Sequence, residues 1–295
     1  MRKLLMSLIA MGIFSAQAQD ASDDATEVAT NYVLRYFAPS FGFLNANYRD
    51  FATSPLFYEG PGIHIGLSWL WESARWENAL ETDFNFSAAN AVAPESSYFE
   101  FTTTSIFLNN QVYNHYLRKI DQLSSERFDV KLGGAFISNF NARINSELQN
   151  AAAGIEVLAN LMLAGKIETD VSRTESKTQK IWFIRYTLRP EERRLSFQLN
   201  TGLLNMNWRP GYAYLSDSEF NGSETGGLGY LLAGHRWSMN GWRFGTRLEY
   251  TKYKTNGNGT KLSYLWDVAH VPGRHEAFQM ASHTFKYTLL INTNK

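Results

Sequence analysis

The chain has 295 residues, a formal net charge of zero and no cysteine. A neutral chain lacks the clustered excess of Lys and Arg that phosphate binding needs, so its composition argues against a nucleic-acid partner. The absence of cysteine excludes disulfides, thiol catalysis, thiolate metal sites and a lipid-modified cysteine.

The N-terminus has the features of a secretory signal peptide. Two basic residues precede an apolar run, and Ala16 and Ala18 place small side chains at the two positions that signal peptidase recognises. The apolar run of about 11 residues is too short to span about 30 Å of hydrocarbon. We predict a signal peptide over residues 1–18, a flexible acidic periplasmic leader over 19–30, and a single domain over 31–295.

Beyond Ala18, no run of 18 apolar residues remains, so we predict no transmembrane helix. The chain is then either a soluble exported protein or a closed β-barrel, because only helices and barrels satisfy their backbone in lipid. The segment from Leu148 to Gly165 fits a helix as well as a strand. We favour a strand, which would turn Leu158 and Met162 towards a barrel interior.

Apolar and polar residues alternate in roughly twelve segments, each of about ten residues or longer. In residues 240–259, "NGWRFGTRLEYTKYKTNGNG", Trp242 and Leu248 belong to an apolar series that alternates with charged residues. Successive side chains of a strand point to opposite faces, so this segment has one apolar and one charged face. Asn240-Gly241 has the residue types of a tight hairpin turn. The same alternation occurs in GIHIGLSWLW (62–71), RWENALETDFNFS (75–87), RFDVKLGGAF (127–136), KIWFIRYTLR (180–189), RLSFQLNTGLL (194–204) and HTFKYTLLIN (283–292).

Alternation alone fits both a barrel in lipid and a β-sandwich in water. Three features favour the barrel: charged residues in mid-strand, segments as long as a tilted membrane crossing of about 9–11 residues, and aromatic residues at segment ends. Those aromatic residues are Trp69, Trp71, Trp76, Trp237 and Trp242. We predict an all-β protein, an antiparallel up-and-down transmembrane β-barrel of about 12 strands. The alternative is a soluble periplasmic β-sandwich or ligand-binding β-protein.

The charged face supplies eight candidate lumen-facing residues: Glu77, Glu81, Asp83, Arg185, Arg189, Arg243, Arg247 and Glu249. Unpaired charges inside a narrow barrel are costly, so we expect these residues to form ion pairs across the lumen. The functional alternative is that they line a small polar pore and set its selectivity.

The signal peptide, the two-faced strands and the aromatic segment ends resemble those of small Gram-negative outer-membrane β-barrels. The resemblance implies an outer-membrane location, contact with outer-membrane lipid and insertion by the barrel-assembly machinery. One departure is the end of the chain, because such barrels commonly finish on an aromatic residue and here polar residues 292–295 follow Ile291. A barrel of this size is largely filled by side chains, so we expect a non-enzymatic narrow pore or a structural, surface-exposed barrel.

The segment "GHRWSMNG" resembles the His-x-Ser-Asn-Gly signature of outer-membrane phospholipase A, a twelve-stranded barrel that hydrolyses lipid esters. The resemblance implies an alternative enzymatic function with Ser238 as nucleophile and His235 as base. In that family the two residues lie two apart on one face. Here Arg236 and Trp237 separate them, which places them on opposite faces unless a bulge intervenes.

The six histidines show no His-x-x-x-His spacing. His270 and His275 flank a Pro272-Gly273 turn, but two histidines without a third ligand do not make a zinc site. We therefore predict no metal and no cofactor.

Two regions fit the barrel less simply. The aromatic segment from Asn31 to Gly62 is expected to be a first strand followed by a loop, or alternatively a plug in the barrel mouth. If Asn240-Gly241 is a hairpin, the long connection from Asn205 to Gly229 falls at the end that carries the termini. Such barrels usually have short turns at that end and long loops at the other. The reversed arrangement indicates that the predicted number of strands is wrong by one.

Overall fold

The computed structural model describes residues 33–51, 54, 56–92, 103–151, 153–188, 190–210, 235–272 and 277–294. The predicted signal peptide and leader therefore lie outside the described residues. The strands are β1 (Leu34–Asp50), β2 (Phe57–Glu72), β3 (Trp76–Val92), β4 (Thr104–Lys119), β5 (Phe128–Ile144), β6 (Ala153–Asp170), β7 (Lys177–Ile181), β8 (Ile184–Leu188), β9 (Glu192–Pro210), β10 (His235–Met239), β11 (Trp242–Tyr253), β12 (Gly259–Pro272) and β13 (Ala277–Asn292). Short 3₁₀ turns cover Asp121–Leu123 and Ser146–Ala151. No helix in this part of the chain is long and apolar enough to cross a membrane.

Ten of these strands close a ring. The order is β9-β11-β12-β13-β1-β2-β3-β4-β5-β6, and β6 pairs with β9 to complete it. Every pairing in the ring is antiparallel, so the predicted all-β closed barrel is confirmed. The prediction of about twelve strands is wrong, because two alternating segments do not add barrel strands.

The first miscounted segment contains Asn240-Gly241. Both β10 and β11 pair with β9 in one continuous register, with Met239 opposite Met206 and Phe244 opposite Thr201. The prediction of a hairpin at this dipeptide is therefore wrong, since the chain keeps its direction through it. Gly241 has φ 85°, and this left-handed conformation suits an interruption within a strand as well as a turn.

This correction also changes the end of the barrel at which β9 and β10 are connected. The stretch from His235 to Tyr253 counts as one wall strand, and β10 extends it beyond the ring, paired with β9. Pro210 and His235, which flank residues 211–234, then lie at the end of the barrel opposite the first and last described residues, Val33 and Asn294.

The second miscounted segment is KIWFIRYTLR. Strands β7 and β8 form a separate two-stranded hairpin that turns at Trp182 and Phe183. The prediction that Arg185 faces the lumen is wrong, because this residue is exposed on the hairpin. Arg189 lies outside the described residues. A free ribbon and a wall strand have the same two-residue period, so alternation does not distinguish them.

Beyond its first strand, the aromatic segment near the N-terminus enters a second strand of the wall. It supplies β1 and most of the first half of β2, which pair with each other from Leu34 opposite Glu72 to Tyr48 opposite Tyr58. The ambiguous stretch after Leu148 becomes a 3₁₀ turn and then β6, with Leu158 and Met162 buried inside as a strand requires.

The wall has an apolar outer face and a mainly polar inner face. Trp242 is 51% exposed and Phe285 is 58% exposed on the outside, so they do not meet in a dry layer between two sheets. The soluble β-sandwich is therefore ruled out as the architecture. Outward apolar side chains include Phe41, Phe43, Ile63, Ile65, Phe84, Phe86, Phe136, Phe140, Leu161, Leu163, Leu199, Leu248, Leu262 and Leu289. This is the arrangement of outer-membrane β-barrels, as the sequence resemblance implies.

Two adjacent glycines in β5, Gly133 and Gly134, allow a test of how closely this strand packs against its neighbours. A Cβ at Gly133 would collide with the carbonyl oxygen of Tyr116 on β4, whereas a Cβ at Gly134 would make an ordinary contact of 3.7 Å with the Met162 carbonyl oxygen. We expect Gly133→Ala to lower the free energy of unfolding by about 1–3 kcal/mol, because the strands must separate. Gly134→Ala is the matched control and should be neutral or slightly stabilising. Urea unfolding in detergent measures both, and equal effects would contradict the prediction.

Candidate functional site: the barrel lumen

The lumen is the concave polar surface of the molecule. The described part of the chain buries eight basic side chains there or at its rims, together with six acidic ones. They are Lys131, Arg143, Lys166, Arg209, Arg243, Arg247, Lys261 and Lys286, and Asp50, Glu77, Glu81, Asp83, Glu156 and Glu249. Six of the eight residues proposed from the sequence belong to this set. Arg185 is exposed on the β7–β8 hairpin, and Arg189 lies outside the described residues.

The ion pairs around Glu81, which we call the Glu81 cluster, join three strands across the lumen. Glu81 on β3 pairs with Arg247 on β11, and its Oε2 lies 2.8 Å from Lys286 Nζ on β13. Asp83 lies 3.8 Å from the same ammonium group. Arg247 is also 3.7 Å from Glu249. Opposite walls are thus held together by charge-assisted hydrogen bonds at one level of the barrel.

A second group of ion pairs, the Glu77 cluster, lies nearer the end that carries the first and last described residues. Glu77 on β3 accepts hydrogen bonds from Lys131 Nζ at 2.9 Å and from Lys166 Nζ at 2.8 Å. Its other near neighbour is His115 Nε2, at 3.2 Å. One carboxylate therefore links β3 to β4, β5 and β6.

Arg243 occupies the middle of the lumen with its side chain fully buried. Its guanidinium binds both carboxylate oxygens of Asp267, with Nε–Oδ1 at 3.0 Å and Nη2–Oδ2 at 2.5 Å. The remaining nitrogen, Nη1, donates to the Asn139 and Asn160 amide oxygens. A planar, forked donor is the side chain suited to such an arrangement.

A fourth group, the Asp50 cluster, was missed by sequence reasoning. Asp50 Oδ2 is 2.7 Å from Arg143 Nη2, Asp50 Oδ1 is 2.9 Å from Arg209 Nη2, and Arg143 also pairs with Glu156. Each of these residues lies outside the segments in which alternation was clearest. The sequence feature that could have identified them is a single charged residue in an otherwise apolar stretch, such as Glu156.

Aromatic side chains pack beside the Asp50 cluster and fill that half of the lumen. Tyr48 stacks on Tyr58 with ring centroids 5.0 Å apart, and Phe107 and Phe278 complete the group. The Arg143 guanidinium lies 4.8 Å from the Phe278 ring centroid, a cation–π contact. The lumen is therefore closed at this end by packed side chains.

Two small cavities lined by described residues lie one on each side of the Glu81 cluster. The larger, of about 60 Å³, is lined by side chains that include His64, Asp83 and Arg247. The smaller, of about 30 Å³, is lined among others by Glu77 and Glu249. Each is large enough for only a few water molecules.

Ser40, His64 and Asn85 form a hydrogen-bonded line next to the larger cavity. Ser40 Oγ is 3.2 Å from His64 Nε2, and His64 Nδ1 is 2.8 Å from Asn85 Oδ1. An amide oxygen only accepts, so Nδ1 carries the proton and a neutral Nε2 accepts from the serine hydroxyl. This is the connectivity of a nucleophile and its base. Ser40 and His64 are both buried, however, and the adjoining cavity has no room for a lipid ester.

His235 and Ser238, the residues suggested by the phospholipase resemblance, do not bond to each other. Ser238 Oγ donates to Asn240 Oδ1 at 3.1 Å, and His235 Nε2 donates to the Ile155 carbonyl oxygen at 2.8 Å. Within the described ranges, no group of three or more His, Cys, Asp or Glu side chains is arranged to hold a metal ion.

Comparison with known proteins gives structural similarity only. No protein-family model matches the chain, and no curated protein does. An outer membrane channel from Pseudomonas putida F1 is 9% identical, with 92% of this chain and 100% of that one covered and a TM-score of 0.32. The translocator domain of autotransporter NalP from Neisseria meningitidis is 8% identical, with 95% and 96% covered and a TM-score of 0.31. The Pseudomonas putida toluene transporter TodX is 7% identical, with 86% and 89% covered and a TM-score of 0.25. The barrel architecture of this chain rests on its own strand pairing.

Proposed function

We propose that the chain is a non-enzymatic outer-membrane barrel that forms a narrow pore, held closed by the Glu81 cluster and, at one end, by the packed group of Tyr48, Tyr58, Phe107 and Phe278. The open state requires both groups to move. The observation that carries the proposal is the position of the Glu81 cluster between two cavities lined by polar side chains. Separation of Arg247 and Lys286 from Glu81 would connect the two cavities without unfolding the wall.

The apolar outer face supports a membrane location. Outward-facing Phe, Leu and Ile side chains cover the wall strands, and aromatic residues such as Trp69 and Trp242 lie towards opposite ends of it. Lipid solvates such a surface, whereas water would leave a very large apolar patch exposed.

The position of the first and last described residues supports an orientation. The first and last described residues share one end, where Asn294 Oδ1 accepts a hydrogen bond of 2.6 Å from the Arg35 amide. In barrels of this class that end is periplasmic. Pro210 and His235 would then lie at the end that faces the cell exterior.

The polar lining supports a pore over a purely structural core. A buried ion-pair network is seldom more stable than well-packed apolar residues of similar volume, so stability alone does not account for these charges. The second candidate function is a permanently closed structural barrel, which the packed aromatic group of Tyr48, Tyr58, Phe107 and Phe278 favours.

Lipid-bilayer recordings test the pore. Lys286→Gln removes one cation of the Glu81 cluster and leaves the Glu81–Arg247 pair in place. We expect an open-to-closed ratio roughly tenfold or more above that of the unmodified protein, which corresponds to ~1.4 kcal/mol of lost attraction across the lumen.

Asp129→Asn is the matched control, because its ion pair with Lys119 lies at the rim and is partly exposed. It should leave the recordings unchanged. Heat-modifiable gel mobility shows that each variant is folded. Absence of conductance in every folded variant would overturn the pore and leave the structural barrel.

A further inference from the structure

The β7–β8 hairpin is a ribbon that continues two wall strands beyond the barrel. After β6 and β9 leave the ring, the Val171 amide donates to the Arg193 carbonyl oxygen at 3.0 Å, and Arg173 and Glu191 exchange two hydrogen bonds of 3.0 Å. The hairpin then pairs only with itself among the described strands. At ~3.3 Å per residue, its tip lies at most about 40 Å beyond Asp170.

The tip of the hairpin carries two large aromatic side chains. Trp182 is 88% exposed and Phe183 is 80% exposed. Two-residue hairpin turns favour Asn, Asp or Gly because their central residues need positive φ. Here Trp182 itself takes φ 55°, an unfavourable conformation for a bulky residue. The sequence thus places apolar surface where turn formation alone would select a small polar residue.

The stem of the hairpin is cationic. Residues 176–190 include four basic residues and no acidic one. Lys180 lies directly opposite Arg185 in the ladder, and both are exposed. Like charges in this position destabilise a hairpin unless an anion lies near both. Thr178 and Thr187 form the neighbouring cross-strand pair, with hydroxyl oxygens 3.3 Å apart, and add donors for the same anion.

We propose that this hairpin is a membrane-docking element: Trp182 and Phe183 insert into the phospholipid leaflet that surrounds this end of the barrel, and Lys180 and Arg185 bind its anionic phosphates. An aromatic tip above a basic stem is the combination that binds interfaces of anionic lipid. The proposal rests on the membrane location given under Proposed function.

The geometry favours the lipid leaflet around the barrel, and not a protein, as the binding partner of the hairpin. The hairpin is joined to two wall strands, so its tip stays within about 40 Å of that leaflet and meets it at a high effective concentration. The charge of the stem complements phosphate groups.

The absence of cysteine allows one site-specific probe. Phe183→Cys, labelled with a polarity-sensitive nitrobenzoxadiazole dye in the full-length barrel, would report the environment of the tip. In vesicles of phosphatidylethanolamine and phosphatidylglycerol, we expect a blue-shifted emission that brominated lipids quench. The same dye at Glu126→Cys, an exposed position in another connection at this end, should remain water-exposed.

Two variants of the labelled protein separate docking from folding. Trp182→Asn suits the positive φ, so it should keep the hairpin and lose the blue shift. The double substitution Lys180→Gln and Arg185→Gln should lower the ratio of inserted to free tip roughly thirtyfold, because each cation contributes ~1 kcal/mol of attraction to an anionic membrane surface. Pure phosphatidylcholine vesicles should weaken insertion in the same way.

A water-exposed dye in every lipid, in a barrel that keeps its heat-modifiable mobility, would overturn docking while leaving the membrane barrel intact. A blue shift that appears only after periplasmic extract is added would also overturn it, in favour of a protein partner. Failure of the unmodified protein to enter vesicles would instead remove the proposed membrane location itself.

Discussion

Glu81→Gln is expected to lower the free energy of unfolding by about 3–5 kcal/mol, because it leaves two buried cations without their shared partner. Glu81 is 2% exposed, and its carboxylate binds both Arg247 and Lys286. The remaining acidic neighbours compensate only partly, since Glu249 lies 3.7 Å from Arg247 and Asp83 lies 3.8 Å from Lys286.

The measurement is urea unfolding of the folded barrel in detergent micelles, followed by tryptophan fluorescence. Asp129→Asn again serves as control, because Lys119 and Asp129 form a 2.5 Å ion pair with side chains 26% and 38% exposed. An exposed pair contributes about 0–1 kcal/mol. If the two variants lose similar amounts, the Glu81 cluster does not join the walls in the way described here.

Arg243→Lys is expected to lower the free energy of unfolding by about 2–4 kcal/mol although the charge is retained. The guanidinium contacts Asp267 through two nitrogens and reaches Asn139 and Asn160 with the third. An ammonium group cannot make this planar set of contacts from one position, so buried amide oxygens on β5 and β6 lose their donor.

Arg236→Lys is the matched control, because Arg236 is exposed on β10. It should change stability by less than about 0.5 kcal/mol. The same unfolding experiment measures both variants. Equal, small effects would mean that the charge of Arg243, and not its forked geometry, is what the lumen requires.

Much of the wall could be predicted from the sequence, because a strand with two different environments has a period of two residues. The segment RWENALETDFNFS became β3 with Phe84 and Phe86 exposed outside and Glu81 and Asp83 buried inside. The strand character of the Leu148 region followed in the same way once Leu158 and Met162 were allowed to face inwards.

The strand count could not be predicted, because local pattern does not report which strands pair. Trp182 to Leu188 alternates like a wall segment, yet β7 and β8 pair only with each other among the described strands. Asn240-Gly241 has the composition of a hairpin, yet the register of β9 with β10 and β11 continues through it.

The sequence identified six residues of the candidate site but not which of them contact one another. Glu81, Arg247 and Lys286 are separated by as many as 205 residues, and only ring closure brings them within hydrogen-bond distance. The Asp50 cluster shows the same limit, since Asp50 and Arg209 lie 159 residues apart.

The sequence by itself determined that this chain forms strands with one apolar and one charged face, since side-chain direction in a strand depends only on residue parity. The tertiary structure alone decided that ten strands close the ring, that one ribbon leaves it, and which charges meet inside. Those outcomes depend on the register of strands far apart in the chain, where backbone hydrogen bonds and the pairing of buried charges must be satisfied together.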